Sequence, residues 1–323
     1  MKAATYPSYG LPDVISVKEV ATPIPEANQI LVKVHASSVT TADTMLRRGD
    51  PFFARFATGF PRPKVQIIGT GYAGEIVGKG EAVSAFSVGD KVFGETAMGF
   101  SANAEYVCVD EKSLIAKLPD KMTYAEAAPL GDGALTAYNF LCSVSDLQAG
   151  HRILVNGASG SIGTAAIQIA KYFGAHVTAV CSEKNHPLVI SLGADEVVDY
   201  SKDDFAHHTA SYDIIFDTVG KRRYGDCMQA LKEGGEFISP VLTFPLLGQM
   251  LWTGCFGSKK AKFSATGLKS PEELQVFLTD IIHMIETGKL KTVIDRQYPL
   301  EQIIDAHKYV ETGHKSGCVV VTS

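Results

Sequence analysis

The stretch His151–Ala175, HRILVNGASGSIGTAAIQIAKYFGA, constrains this chain more than any other. Ile153, Leu154 and Val155 form a short apolar run that ends in a glycine turn. The turn opens directly into Ala165, Ala166, Ile167, Ile169, Ala170 and Phe173, whose positions suit a buried helix. It reads Gly157-x-x-Gly160-x-x-Gly163, a spaced variant of the dinucleotide fingerprint, in which absent side chains let the backbone approach a pyrophosphate and let helix pack on strand. The first amides of a helix have no internal partners, and the helix dipole attracts anions. Gly157, Ser159, Gly160, Ser161, Ile162 and Gly163 are therefore candidate phosphate contacts. The competing reading is a β-to-α turn with no ligand, so the flanking units matter.

Those units continue in order. His176–Ser182 reads as a second strand, Pro187–Leu192 as a short helix, Glu196–Asp199 as a third strand and Tyr212–Val219 as a fourth. Arg222–Lys232 predicts a helix, followed by Gly234-Gly235 and a fifth strand at Glu236–Ser239. Strands alternating with helices across short turns imply a right-handed, doubly wound parallel sheet. Dinucleotides bind at the carboxyl ends of such strands, which places chemistry near Thr218-Val219-Gly220 and Pro240-Val241-Leu242.

The end of the second strand selects the dinucleotide. An acidic residue there would hold the ribose hydroxyls of NAD, whereas a 2′-phosphate needs a cation and hydroxyls. The position is Ser182, with Lys184 two residues on and Tyr200 just past the third strand, which favours NADPH. Glu183 is the discordant residue, read either as a ribose contact or as a solvent-facing turn carboxylate.

At 323 residues and 46% apolar composition the chain has enough material for two domains. A net charge of −5 with no basic stripe argues against nucleic acid as a partner. The first twenty residues lack the apolar core of a signal peptide and read as strand, turn and strand. Phe237–Gly257 is the most apolar later stretch, but Pro240, Pro245, Gly248 and Gly254 favour a buried strand plus an apolar loop or helix over a membrane span. A cytoplasmic location is expected. Six cysteines and nine histidines show no metal-ligand spacing.

Residues 1 to about 125 have another texture. Ile30–His35, Gly74–Gly78, Lys91–Gly94 and Ala104–Val109 are short alternating runs separated by Gly, Pro and Asp, the pattern of an all-β barrel. After a sixth strand at Lys262–Thr266 come a helix at Pro271–Thr287, a strand at Val293–Gln297, a helix at Leu300–Glu311 and a last strand at Gly317–Val321. This tail is placed to return and complete the first module.

Several motifs then stand together: Met1-Lys2-Ala3 with Tyr9-Gly10 and Pro12; Thr40, Asp43, Arg47 and Gly49 in a polar-x-x-Asp-x-x-x-Arg-x-Gly signature; Gly69 and Gly74; Val88–Gly94; Ala104-Glu105-Tyr106; Ala127-Ala128-Pro129; Leu192-Gly193-Ala194-Asp195; and Gly317–Val320. With these the whole chain resembles the medium-chain dehydrogenase/reductase superfamily, in the zinc-independent branch related to quinone oxidoreductases and zeta-crystallin. The resemblance implies a GroES-like β-barrel catalytic domain at 1–125, completed by 269–323, and a Rossmann NADP-binding domain at 126–268. It implies a homodimer, and it adds Gly317 to Val219 and Val241 as cofactor contacts. Zinc-dependent relatives place Cys, His and Cys where this chain aligns Thr40, Thr70 and Asp132, a poor zinc shell. The cysteine-rich zinc lobe is absent from the short connection between Phe93 and Ala104, so no metal is expected.

Without zinc the carbonyl needs another electrophile, and Thr40 stands where the branch commonly has a polar Asn. Its hydroxyl is the first candidate donor to a developing oxyanion. Tyr72 is the second: either a general acid facing the cleft, or a tyrosine packed in the barrel with its hydroxyl at the edge. Asp43 and Arg47 read as an ion pair or hydrogen-bonded brace. Gly49–Pro63 carries Phe52, Phe53, Phe56 and Phe60, either a self-packed loop or a substrate lid. The apolar run Phe244–Trp252 is a second candidate cover for the same substrate. Together these point to a small hydrophobic carbonyl substrate. Three functions follow: an NADPH-dependent quinone or α,β-unsaturated carbonyl reductase, a zinc-free NADP-dependent alcohol dehydrogenase, and a nucleotide-binding sensor or partner-binding module.

Overall fold

An antiparallel pair opens the chain, β1 (Lys2–Thr5) against β2 (Ser16–Glu19). β3 (Gln29–Val39) shows the expected alternation, with Ile30, Val32 and Val34 buried and Lys33 in solvent. Fully burying each such side chain stabilises by roughly 1.5–3 kcal/mol. Helix α1 (Thr41–Arg48) and the one-turn α2 (Arg55–Thr58) follow, then β4 (Gly71–Lys79), β5 (Lys91–Glu95), β6 (Tyr106–Asp110), β7 (Leu114–Lys117) and the one-turn α3 (Tyr124–Ala127). This computed structural model describes residues 1–96 and 100–323, so the connection between Phe93 and Ala104 lies partly outside the described residues.

After α4 (Gly133–Tyr138) come β8 (Arg152–Asn156), α5 (Ser161–Tyr172), β9 (His176–Cys181), α6 (His186–Ser191), β10 (Glu196–Asp199) and β11 (Tyr212–Asp217). Then follow α7 (Tyr224–Cys227), β12 (Leu231–Ser239), α8 (Phe244–Phe256) and β13 (Lys260–Phe263). The six strands are parallel, in the order β10-β9-β8-β11-β12-β13. The order reverses between β8 and β11, where a doubly wound sheet opens its ligand crevice. Ile153, Leu154 and Val155 are fully buried, as a strand covered on both faces requires.

The helix expected at Arg222–Lys232 is corrected: only Tyr224–Cys227 is helical, and Leu231 already pairs with Tyr212 as strand. The ladder slips between Tyr212 and Ile214, so Gly234-Gly235 sits in an irregularity within β12 rather than ending a helix.

The tail adds α9 (Pro271–Glu286), β14 (Ile294–Pro299), α10 (Ile303–Glu311) and β15 (Cys318–Thr322). β15 pairs antiparallel with β3 and parallel with β14, giving a seven-stranded sheet of order β14-β15-β3-β4-β5-β7 with β6 on β3. By contacts the chain divides into two units. One is Met1–Asp132 with Ser270–Leu278 and Thr292–Ser323; the other is Gly133–Lys269 with Thr279–Lys291. Among the described residues no helix is long and apolar enough to cross a membrane.

Candidate active site

In the second unit the glycine turn divides its labour. Gly157 has φ +78°, and a Cβ there would stand 2.5 Å from Val219 Cγ2. A Cβ on Gly163 would stand 2.3 Å from the Gly157 carbonyl oxygen and 2.7 Å from Ala158 Cα, so this glycine serves helix-on-strand packing. A Cβ on Gly160 would meet nothing closer than 3.4 Å. Gly160 is also the N-cap of α5, so no capping side chain occupies the amides of Ile162 and Gly163. The cradle therefore fits the diphosphate of a dinucleotide, with open space over Gly160 and uncapped helix amides below it.

The rim of the cradle is fixed by a residue the sequence reading passed over. Buried Asp217, at the end of β11, accepts from Asn156 Nδ2 (2.8 Å) and from the backbone amides of Val219 (3.1 Å) and Arg222 (3.0 Å). Val219 is thereby held at the switch point, 42% exposed. Val241 packs against Gly220, where a Cβ would lie 2.5 Å from Val241 Cβ.

At the end of β9, Asn185 Nδ2 donates to Ser159 Oγ (2.9 Å) and Ser182 Oγ (3.3 Å), tying the phosphate turn to the ribose end. Lys184 and Tyr200 are exposed nearby in sequence. Glu183 is engaged as an ion pair with Lys202 (2.7 Å), both side chains exposed. Its carboxylate is thus offset by a cation, and Lys202 is a further basic residue missed by the sequence reading. Gly317 lies in the first unit; with φ +117°, a Cβ there would stand 2.4 Å from the Val293 carbonyl oxygen, so the backbone approach accounts for this glycine.

In the first unit Thr40 is 5% exposed and forms a capping box on α1. Its Oγ1 accepts from the Asp43 amide (3.0 Å) and donates to Asp43 Oδ2 (2.8 Å), which also accepts from the Thr40 amide (2.8 Å). The Thr40 hydroxyl, read from sequence as a free donor, is spent on Asp43 in this arrangement. Asp43 is fully buried, and burial pushes its carboxyl up to about 7, against the opposing pull of the Thr40 hydrogen bonds. The expected Asp43–Arg47 pair is corrected: Asp43 is occupied by the cap, and buried Arg47, one turn on, donates to Glu311 of α10.

Tyr72 is also fully buried, in the barrel core with Val32, Ile76, Val92 and Ile115. Its hydroxyl has no partner among the described residues, and burial raises its pKa far above the phenol's usual range. It faces the core rather than a substrate. Sequence parity carries the signal: Tyr72 and Ile76 lie an even number of residues apart on β4 and share one face. The second carboxyl that sequence reasoning missed is Glu95 at the end of β5. It pairs in register with Gly71, accepts a hydrogen bond from Thr70 and is pushed up to about 8, by burial first and then by the Asp132 and Asp43 carboxylates.

Comparison with known proteins places this geometry. Residues 26–120 match the alcohol dehydrogenase GroES-like domain family, and residues 192–321 match the family described as zinc-binding dehydrogenase. The chain is 34% identical to 2-methylene-furan-3-one reductase of Solanum lycopersicum, over 99% of its own length and 79% of the relative's. This chain belongs to the medium-chain dehydrogenase/reductase superfamily, in its quinone oxidoreductase branch. It is also 32% identical, with the same coverage, to the chloroplastic NADPH-dependent alkenal/one oxidoreductase of Arabidopsis thaliana. The quinone oxidoreductase of Coxiella burnetii superposes with a TM-score of 0.87 at 29% identity, covering 100% of this chain and 99% of that one.

As a member of this superfamily the chain is a pyridine-nucleotide-dependent oxidoreductase with a GroES-like domain and a Rossmann-type sheet. The donor set at the superfamily's catalytic-zinc position does not fit that metal. Thr40 and Thr70 offer hydroxyls, which bind zinc poorly beside the usual nitrogen and thiolate ligands. Among the described residues no group of three or more His, Cys, Asp or Glu side chains is arranged to hold a metal ion.

Proposed function

We propose that this oxidoreductase is a zinc-free, NADPH-dependent reductase of quinones or α,β-unsaturated carbonyl compounds. The observation that carries the cofactor choice is the pairing of Glu183 with Lys202, which leaves Ser182, Lys184 and Tyr200 as the groups offered to a 2′-phosphate. The glycine cradle would hold the diphosphate of the dinucleotide, whose reduced nicotinamide would supply a hydride. The chain supplies orientation through Gly157, Gly163 and the Asp217-braced loop.

The substrate class is supported by the names of two relatives, a furanone reductase and an alkenal/one oxidoreductase. It is supported also by the exposed aromatic cluster of Phe52, Phe56 and Phe60, whose ring centroids lie 5.8–6.3 Å apart. Arg55 anchors that segment by donating to the carbonyls of Arg48 and Gly49, which suits a lid over an apolar substrate. The reading includes a homodimer, since Leu251, Trp252 and Phe256 of α8 are 66–77% exposed.

A panel of enones, alkenals, quinones, saturated aldehydes and alcohols, run with both cofactors and with a chelator, tests this reading. Turnover with NADPH on enones or quinones, unaffected by chelation, is expected. Alcohol oxidation alone, zinc-dependent turnover, or tight NADPH binding without any oxidation would each displace it. In the same assay Lys184→Ala should weaken NADPH binding by about 1.5–3 kcal/mol, the scale of a charge-assisted hydrogen bond, with little change for NADH. Equal losses for both cofactors would remove Lys184 from the 2′-phosphate site.

A further inference from the structure

We propose that residues 51–60 of the first unit are a docking surface for an anionic lipid bilayer, with the phenylalanine rings seated at the boundary between headgroups and acyl chains and with Arg62 and Lys64 against the lipid charge. The inference concerns where this oxidoreductase sits, and it holds whichever carbonyl compound is reduced. Phe52, Phe53, Phe56 and Phe60 are 54–69% exposed. Three of them form one cluster: Phe56 stacks on Phe60 with ring centroids 5.8 Å apart, and Phe52 meets each of them edge-on at 6.3 Å.

Polar anchors hold this segment in place. Arg55 donates to the carbonyls of Gly49 (3.1 Å) and Arg48 (3.0 Å), and its guanidinium lies over the rings of Tyr9 (4.8 Å) and Phe52 (5.1 Å). The Tyr9 hydroxyl donates to the Gly59 carbonyl (2.7 Å) and shares a hydrogen bond with Thr58 Oγ1 (2.7 Å). A bilayer would therefore receive a preformed cluster, with little ordering left to do on binding.

The charge beside the rings has one sign. From Arg47 to Lys64 the sequence holds five cationic residues and one acidic residue, in a chain whose net charge is −5. Arg47 is buried on Glu311, and Asp50 faces Arg48 at 3.4 Å. Arg62 and Lys64 are exposed and have no ion-pair partner among the described residues. They stand at the foot of the cluster, because the chain folds back after Gly59. The Lys64 amide donates to the Thr58 carbonyl (2.9 Å), and a Cβ on Gly59 would stand 2.3 Å from the Arg62 carbonyl oxygen.

Area and charge together select the occupant. Taking about 200 Å² per ring, the three clustered rings present on the order of 400 Å² of aromatic surface, a patch of the size that marks an interaction site on a monomer. A stable interface between two protein chains takes about 800 Å² from each partner, well above this area. A bilayer needs no matching relief. It takes aromatic rings at its interface and basic side chains on its anionic headgroups. Rings seated about 5–10 Å deep require no spanning helix. Docking would also bring the protein to the phase in which apolar quinones and alkenals concentrate.

Co-sedimentation of the full chain with vesicles tests this, using phosphatidylcholine alone and phosphatidylcholine mixed with phosphatidylserine. The wild type should bind the mixed vesicles and hold the neutral ones far more weakly, and added salt should erase the difference. Arg62→Gln with Lys64→Gln should lower affinity for the mixed vesicles roughly 25-fold, about fivefold for each cation removed. Phe56→Ser with Phe60→Ser should lose binding to both, and all variants should keep the wild-type unfolding temperature because the replaced side chains are exposed. A second readout needs no loss of function. Trp252 of α8 is the single tryptophan of the chain, so Phe56→Trp combined with Trp252→Phe gives a probe in the segment alone. Mixed vesicles should shift its emission to the blue, and brominated lipid should quench it. Absent vesicle binding, equal binding to neutral and mixed vesicles, undiminished binding by either double variant, or quenching of wild-type Trp252 with none at Phe56→Trp would overturn the proposal. So would a shift at Phe56→Trp caused by a soluble enone but not by vesicles, the mark of a substrate lid alone. A dimer mass by light scattering that Phe56→Ser with Phe60→Ser reduces to a monomer would make the patch an interface between copies and overturn it equally.

Discussion

Gly163→Ala should destabilise the protein by about 3 kcal/mol, the upper range for forcing extra volume into a packed interior, and weaken NADPH binding by roughly 100-fold. The added methyl would stand 2.3 Å from the Gly157 carbonyl oxygen and 2.7 Å from Ala158 carbon atoms, and those are backbone atoms that cannot rotate away. Relief requires α5 to lift from β8, which moves the turn that receives the diphosphate. Gly160→Ala is the informative contrast. Its methyl meets nothing closer than 3.4 Å, so stability should change by less than about 1 kcal/mol, the scale of a weakened N-cap. NADPH binding should nevertheless fall, because the methyl enters the space left for the pyrophosphate. Urea unfolding with nucleotide titration separates the two. Equal stability losses, or unimpaired nucleotide binding by both variants, would refute this division of roles.

Thr40→Val should cost about 2–4 kcal/mol of stability, whereas Thr40→Ser should stay near wild type. Valine preserves shape but removes the acceptor for the Asp43 amide and a donor to Asp43 Oδ2, leaving a buried carboxyl short of a partner. The pH dependence has a definite sign. Burial raises the folded-state pKa of Asp43, so the stability linked to its proton is fully present below the unfolded-state value and is lost as pH rises through about 7. The Thr40 bonds lower that pKa and moderate the loss. The deficit of Thr40→Val should therefore be larger at pH 8.5 than at pH 5.5. A deficit that is flat or reversed in pH would contradict the capping geometry.

The parallel sheet was readable because its signals are local. Ile153–Val155, the glycine turn and the helix behind it lie in one continuous stretch, and each later strand is bounded by its own turn residues. The capping box went unread although Thr40-x-x-Asp43 has the reciprocal spacing, because the same residues suggested a brace to Arg47. Arg47 instead reaches Glu311, 264 positions away, which no local pattern announces. Glu95 stayed hidden for the same reason. It is an ordinary carboxylate at the end of a short strand until β4–β5 pairing sets it beside Gly71 and the close approach of Gly131 sets it near Asp132. Tyr72 drew attention as an unusual residue in a familiar motif, but strand parity on β4 assigns it to the core.

The central claim is that this chain moves hydride from NADPH to the alkene carbon of a conjugated carbonyl, or to a quinone, without zinc. It is tested most directly with NADPH carrying deuterium at C4, prepared as each of its two diastereomers, and an enone substrate analysed by NMR. The account predicts that one diastereomer alone transfers its deuterium, that the label appears on the β-carbon of a saturated carbonyl product, and that chelators do not alter the yield. Deuterium on the carbonyl carbon of an alcohol product, or none transferred from either diastereomer to enone or quinone, would contradict it.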